Sequence, residues 1–246
     1  MSGAPLKVTT LKPVAELTFP TRWATFRLLA FESFHIDRKS GKRCCDTALA
    51  LVLGDIHNSP PLVRIHSQCV TGDVLHSLRC DCHDQLHLAL RTIVAERGGI
   101  LLYEQQEGRG IGLLEKLRAY ELQDRGFDTV EANLQLGHAI DSRDYALAVA
   151  ILQSLEVHSI RLMSNNPDKI MAVSSAGIRI VERVGADVPA SPHSAHYIAT
   201  KREKLGHLSN AAAVSPGFES REAEGAFPGK LCSEANGSRA EARANL

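Results

Sequence analysis

From residue 83 onward the apolar residues switch repeatedly between helical and strand-like spacing, and this rhythm constrains the fold more than any other feature of the sequence. Leu86, Leu90, Ile93 and Val94 recur at helical spacing within 83–97, and Gly98-Gly99 supplies a stop. ILLY (100–103) is a short apolar run of the buried-strand type. A second helix is expected over 113–125, closed by Gly126, and a third over 143–155, with Asp141 or Ser142 placed to cap it. SIRLM (159–163) reads as a strand, and Asn166-Pro167 opens a fourth helix, since proline suits the first helical position. Gly177 ends that helix before the strand IRIVERV (178–184). Helices alternating with strands must bury their apolar faces against a common sheet, so the expected class is α/β.

Upstream of residue 83 the reading is different. ATFRLLAFE (24–32), TALALVLGD (47–55) and LVRIH (62–66) read as strands, with RKSGKR (38–43) as a polar turn between the first two. Strands joined this way pair antiparallel, which predicts a mixed sheet. Residues 1–13 read as a loose leader, and no internal repeat is present. Residues 209–246 are rich in Ala, Ser, Gly, Glu and Arg, with few large apolar residues. Such a segment cannot bury enough surface to offset its ordering entropy, so a disordered tail carrying an inert Cys232 is expected after a domain of residues 1–208.

Apolar residues make up 44% of the chain, enough for a proper core. Lys+Arg and Asp+Glu balance at 28 each, which gives no global attraction to nucleic acid or to anionic membrane. A polyanionic ligand would need a local basic pocket. No stretch approaches the ~20 apolar residues of a membrane span, and the N-terminal residues lack the apolar run of a signal peptide. A cytoplasmic protein is expected, with its six cysteines reduced.

The strongest chemical signal is Cys69-x10-Cys80-Asp81-Cys82. Three thiols so close in sequence can converge on one ion, and thiolate is a soft ligand that suits zinc. A structural zinc takes four protein ligands, whereas a catalytic one takes three and keeps the fourth position for water. No other cysteine lies near, but His66, His76, His83 or His87 could each close the site, so both kinds remain open on spacing alone. The glycine-rich QEGRGIG (106–112) places Arg109 among glycines whose N–H groups can approach a phosphate, or leaves it a solvated loop arginine. Lys169 falls in the first turn of the fourth helix, near its positive end, or is a plain surface lysine. By spacing, Tyr120 lies on the Leu114–Leu117 stripe, where core packing is the plain expectation.

The run from Arg64 to Asp73 (RIHSQCVTGD), followed by SLRCDC (77–82), resembles the zinc segment of GTP cyclohydrolase II. QEGRGIGL (106–113), RAYELQ (118–123), DTVEAN (128–133), DSRD (141–144), SNNPDK (164–169), His196-Tyr197 and KLGH (204–207) match in order, so that the resemblance covers residues 14–208. It implies a three-layer α/β/α fold with a mixed β-sheet, a homodimer, one Zn2+ per subunit and a requirement for Mg2+. It also implies the first step of riboflavin biosynthesis: GTP loses pyrophosphate, and carbon 8 as formate, leaving 2,5-diamino-6-ribosylamino-4(3H)-pyrimidinone 5′-phosphate.

By the same resemblance Cys69, Cys80 and Cys82 are the zinc ligands, and water takes the fourth position. Arg64, Ile65, His66, Ser67, Gln68, Gln85, Glu107, Gly108, Arg109, Thr129, Ser164 and Lys169 fall where the family binds GTP. Among these, Glu107 and Gln85 are suited to reading the guanine edge. Asp141 matches a proton acceptor, Arg143 a residue proposed to attack the α-phosphorus, and Tyr120 a tyrosine linked to formate release. A guanidinium is almost never deprotonated, so a charge-stabilising Arg143 is chemically easier than a nucleophilic one. Two positions depart from the family pattern: Gln68 stands in place of Glu, and Ser164 in place of Thr. A cyclohydrolase that keeps the formyl group, and a guanine-nucleotide-binding module with a closed structural zinc, are the competing readings. With few residues ahead of the matching region, no fused 3,4-dihydroxy-2-butanone 4-phosphate synthase is expected.

Overall fold

The computed structural model describes residues 10–36 and 43–208. They form a seven-stranded sheet of order β1-β2-β3-β5-β4-β6-β7. Its strands are β1 (Thr10–Pro20), β2 (Thr25–Ile36), β3 (Arg43–Leu53), β4 (Leu62–Ser67), β5 (Gly99–Glu104), β6 (Ser159–Met163) and β7 (Arg179–Val184). The pairs β1–β2, β2–β3 and β3–β5 are antiparallel, whereas β5–β4, β4–β6 and β6–β7 are parallel. The sheet is therefore mixed. The helices are α1 (Cys82–Ala95), α2 (Leu113–Gln123), α3 (Thr129–Gln135), α4 (Ala146–Ser154), α5 (Pro167–Ser175) and α6 (Ala195–Leu205).

Side chains that alternate across the strands feed two cores. Ile100 and Leu102 of β5 pack with Leu147, Ile151 and Leu152 of α4 and Val173 of α5. Leu101 between them points the other way, to Ala89, Leu90 and Ile93 of α1. Burying each of these large side chains contributes ~1.5–3 kcal/mol. Helices on both faces of one sheet make the α/β/α layering.

Four local features differ from the sequence reading. β1 begins inside the expected leader. It is an exposed edge strand, so TLKPVAELTFP carries no burial pattern. Its Pro13 sits at a register irregularity, where a missing N–H is tolerated. α3 and α6 were not anticipated, although Asp128 and Glu131 form a reciprocal capping box: Asp128 accepts from Val130 N and Glu131 N, and Glu131 from Asp128 N. The third expected helix starts later, as α4 at Ala146, whose N–H donates to Asp144 at 2.7 Å. Neither Asp141 nor Ser142 caps it. The opening of α5 is as expected, with Asn166 accepting from Asp168 N at 2.8 Å. Most of the polar turn, the first residues of the leader and the whole tail with Cys232 lie outside the described residues. Among the described residues no helix is long and apolar enough to cross a membrane.

Candidate active site and metal centre

In an open α/β sheet, ligands bind beyond the carboxyl ends of the strands, where neighbouring connections leave toward opposite faces. That point here lies between β4 and β6. The chain after β4 leads to α1 on one face, and the chain after β6 leads to α5 on the other. An open cleft sits there, continuous with solvent and lined by the segments that leave the strands. Its walls are Ser67 at the end of β4 with Gln68 and Cys69 after it, and the segments that follow β5 (Gln106 to Arg109), β6 (Ser164 to Asn166) and β7 (Ala186).

The chain leaving β4 turns tightly over Val70–Val74, which brings Cys69 to Cys80 and Cys82 at the start of α1. Their sulfurs lie within 4.8 Å of one another, with Cys69 and Cys80 3.7 Å apart. Asp73 fixes this turn from inside. Its carboxylate accepts from Cys69 N at 3.0 Å and Tyr103 Oη at 2.9 Å, and lies 3.2 Å from His66 Nε2. Hydrogen bonds from the Cys80 and Cys82 thiols hold the Cys69 pKa low, while the bond to Cys69 pushes Cys80 up to about 11. All three can ionise together only around a cation. Among the described residues no histidine or carboxylate joins the group. His66 is committed to Asp73. His76 and His87 each lie against the ring of His83, at centroid distances of 4.1 and 4.0 Å. The set is three soft ligands with no fourth protein donor.

The rest of the cleft is basic, as a neutral chain with a polyanionic ligand requires. Arg64 donates to Met163 O at 3.1 Å and to Gln85 Oε1 at 2.7 Å, which leaves its buried Nε without a partner. Gln85 in turn donates to Asp81, which is held by Lys201 at 2.9 Å. Arg109 adopts a left-handed backbone (φ 60°) beside Gly108, and its Nη1 is buried without a partner. Buried Lys169 donates to Ile65 O at 2.8 Å, and burial lowers its pKa, assisted by the charges of Arg64 and Arg143. Asp141 grips Arg143 through the backbone N–H at 3.0 Å, through Nε at 2.9 Å, and through Nη2. Burial opposes the charge of Arg143, but this carboxylate outweighs it and raises the pKa. His207, also in the cleft, is lowered to about 3 by burial and by Lys201, Arg143 and Arg109.

Most residues singled out from the sequence line this cleft: the three cysteines, Arg64, Ser67, Gln68, Gln85, Glu107 to Arg109, Tyr120, Thr129, Arg143, Ser164 and Lys169. Ile65, His66 and Asp141 do not. Ile65 is buried in the core and offers the cleft only its carbonyl, through Lys169. His66 faces Asp73, and Asp141 faces Arg143. Glu107 lines the cleft, but its oxygens take Val70 N (2.6 Å), Lys116 Nζ (2.7 Å) and Gly108 N (3.0 Å). The core-packing expectation for Tyr120 does not hold. Leu114 and Leu117 are 71% and 41% exposed, and the Tyr120 ring stands at the cleft with the Arg79 guanidinium 5.0 Å from its centroid. Lys116, Tyr197, Lys201 and His207 were not singled out. Tyr197 and His207 lay within matching segments, whereas the two lysines carried no signal in a single sequence.

A family model for GTP cyclohydrolase II matches residues 12–185. The GTP cyclohydrolase-2 of Shigella boydii is 51% identical over 201 residues, 81% of this chain and 98% of that protein. The Klebsiella pneumoniae GTP cyclohydrolase-2 is 51% identical over 202 residues, 82% of this chain and 97% of that protein. Among solved structures, a two-domain 3,4-dihydroxy-2-butanone 4-phosphate synthase from A. baumannii aligns at 22% identity and a TM-score of 0.40, over 73% of this chain and 41% of that one.

Proposed function

The chain belongs to the GTP cyclohydrolase II family, hydrolases of riboflavin biosynthesis, and we propose that its cleft opens the imidazole ring of GTP with loss of formate and pyrophosphate. One observation carries the reading. A three-thiolate group with no fourth protein ligand among the described residues shares a cleft with Arg64, Arg109, Arg143 and Lys169. The first suits hydrolysis at carbon, and the second suits a triphosphate.

The donor set of Cys69, Cys80 and Cys82 fits Zn2+, and Gly72 beneath the sulfurs leaves the space that such a centre needs. When bound, the zinc supplies a water made acidic enough to act at neutral pH. The chain's own residues do the rest. Arg64 and Arg109 line the cleft and each keeps a buried guanidinium nitrogen without a partner, and Lys169 is a buried amine whose charged form an anionic substrate would favour. Mg2+, which the family resemblance implies, would offset part of the triphosphate's charge. Arg143, locked by Asp141, acts as a fixed cation at the α-phosphate: a guanidinium whose pKa is raised is a poor nucleophile and a good charge stabiliser. Tyr120, at the cleft wall, is the group we assign to hold or move protons, while Asp141, which faces Arg143, serves by holding that guanidinium in place. Gln85 and the neighbouring polar groups orient the base.

Residues 1–208 form the catalytic domain, working as a homodimer in the cytoplasm, and 209–246 are dispensable. Incubating the purified protein with GTP and Mg2+, and assaying formate, pyrophosphate and the pyrimidine together, tests the whole reading. Pyrophosphate with no formate would assign the chain to the formyl-retaining reaction. Neither product would leave a binding module. Truncation after Leu208 should keep activity, and a large loss from a folded truncated protein would refute the tail assignment.

A further inference from the structure

Lys116 lies in α2, and its side chain is only 12% exposed. Its ammonium has three protons, and each meets an acceptor: Cys69 Sγ at 3.0 Å, Thr71 Oγ1 at 2.8 Å and Glu107 Oε1 at 2.7 Å. The same Glu107 accepts from Val70 N with its other oxygen. One lysine thus ties together the cysteine turn and the glycine-rich turn. Gly108 makes this possible, because a Cβ there would come within 3.0 Å of the Lys116 Cβ.

The charges explain why a lysine is buried at this spot. Three thiolates around a divalent ion leave one net negative charge, and Glu107 adds another. An ammonium on the sulfur of Cys69 offsets part of this within a partly dry site. It also draws electron density from that sulfur, so the thiolate donates less to the metal. Groups that hydrogen-bond to metal ligands tune a centre in this way.

We propose that Lys116 is a positioning residue that sets the charge of the metal centre through its hydrogen bond to Cys69, and so sets how strongly the metal polarises what it binds. The proposal rests on the assignment of Cys69, Cys80 and Cys82 as metal ligands. It gives the glycine-rich turn a structural role: the turn holds the Glu107–Lys116 pair against the sulfur.

Cobalt(II), loaded into the full chain in place of zinc, is the probe, because thiolate-to-cobalt charge transfer reports the electron richness of the sulfurs directly. Wild type, Lys116→Met, Lys116→Gln and Lys116→Arg are compared at equal cobalt content, with Cys80→Ser alongside. Loss of the ammonium should move the charge-transfer band to lower energy in the Met and Gln variants, while Arg keeps it near the wild-type position. With zinc restored, the acid limb of the formate-release profile should move up by ~1 pH unit in Lys116→Met and return in Lys116→Arg. Should Lys116→Met fail to fold, Lys116→Gln, which retains a neutral donor, supports the same comparison. An unshifted band in a fully loaded Met or Gln variant overturns the proposal. A Cys80→Ser protein with the wild-type band refutes instead the metal assignment beneath it.

Discussion

Gly72 passes so close beneath the cysteine cluster that a Cβ on it would stand 3.0 Å from Cys80 Sγ and 3.1 Å from Cys69 Sγ. The crowding is steric, since no left-handed backbone is involved. The space left by the missing Cβ is what a metal centre held by both sulfurs requires. Gly72→Ala should therefore fold but hold zinc ~10–100-fold more weakly, as the sulfurs are pushed apart. Chelator competition on the purified variant measures this, and unchanged zinc affinity would show that the turn can retreat from the sulfurs.

Cys80→Ser should be more severe. Serine is a hard, poorly ionised donor, and the remaining two thiolates cannot hold zinc in the same geometry. Zinc content and formate release should both be lost, while the fold, whose main core lies on the sheet, should persist. Wild-type formate from metal-free Cys80→Ser protein would refute the metal role of the cluster.

Glu104 supplies a pH prediction. It is fully buried at the end of β5, and neither side-chain oxygen has a well-formed hydrogen bond. Burial raises its carboxyl pKa to about 7, against the pull of Lys169, the Ala148 backbone and Arg143. The folded pKa exceeds the unfolded one, so between pH ~4.5 and ~7 the folded state binds more protons. Stability from this group is therefore lost as pH rises through that window, and is flat above it. Glu104→Gln cannot titrate. The unfolding free energy of wild type minus that of Glu104→Gln should fall on the order of 3 kcal/mol across the window. Urea unfolding of both proteins at several pH values tests this, and a difference independent of pH would contradict it.

The sequence was most informative where chemistry or burial fixes residue type. The strands β2 to β7 and the helices α1, α2 and α5 could be read because their apolar residues must face a core, and because Gly98, Asn166-Pro167 and Gly177 punctuate them. β1 could not, because an exposed edge strand needs no apolar alternation and tolerates Pro13. Asp141 looked like a cap because capping is the common use of such a residue. It instead clamps Arg143, a side chain two positions on that propensity cannot foresee. The cysteines and Arg109 carry their chemistry in their types and spacing. Lys116 and Lys201 do not: a lysine in a helix is ordinarily solvated, and only the packing of α2 and α6 turns these two inward.

Arg143 and the cysteine site should serve separable steps. Arg143 is held by a two-pronged grip from Asp141, so its guanidinium plane is fixed in the cleft before substrate arrives. A fixed cation can stabilise charge at the α-phosphate without reorganising, whereas the three thiols bear on ring opening at carbon. Arg143→Ala should therefore abolish or sharply reduce pyrophosphate release, and should also leave the buried Asp141 without its partner. Metal removal should stop formate release and spare some cleavage at the α-phosphate. Arg143→Lys separates the roles of charge and shape. Lysine supplies the charge but cannot reproduce the planar fork, either toward Asp141 or toward phosphate. A pure charge role predicts partial activity for lysine, of the order of 1–10% of wild type, which costs ~1–3 kcal/mol in the barrier. A role that depends on the fork predicts that lysine fails as alanine does. Pyrophosphate and formate are read from the same single-turnover mixture for both variants and for the apo-protein. Unchanged pyrophosphate release in Arg143→Ala would remove Arg143 from the phosphate chemistry and leave the Asp141–Arg143 pair as a structural clamp on the loop before α4.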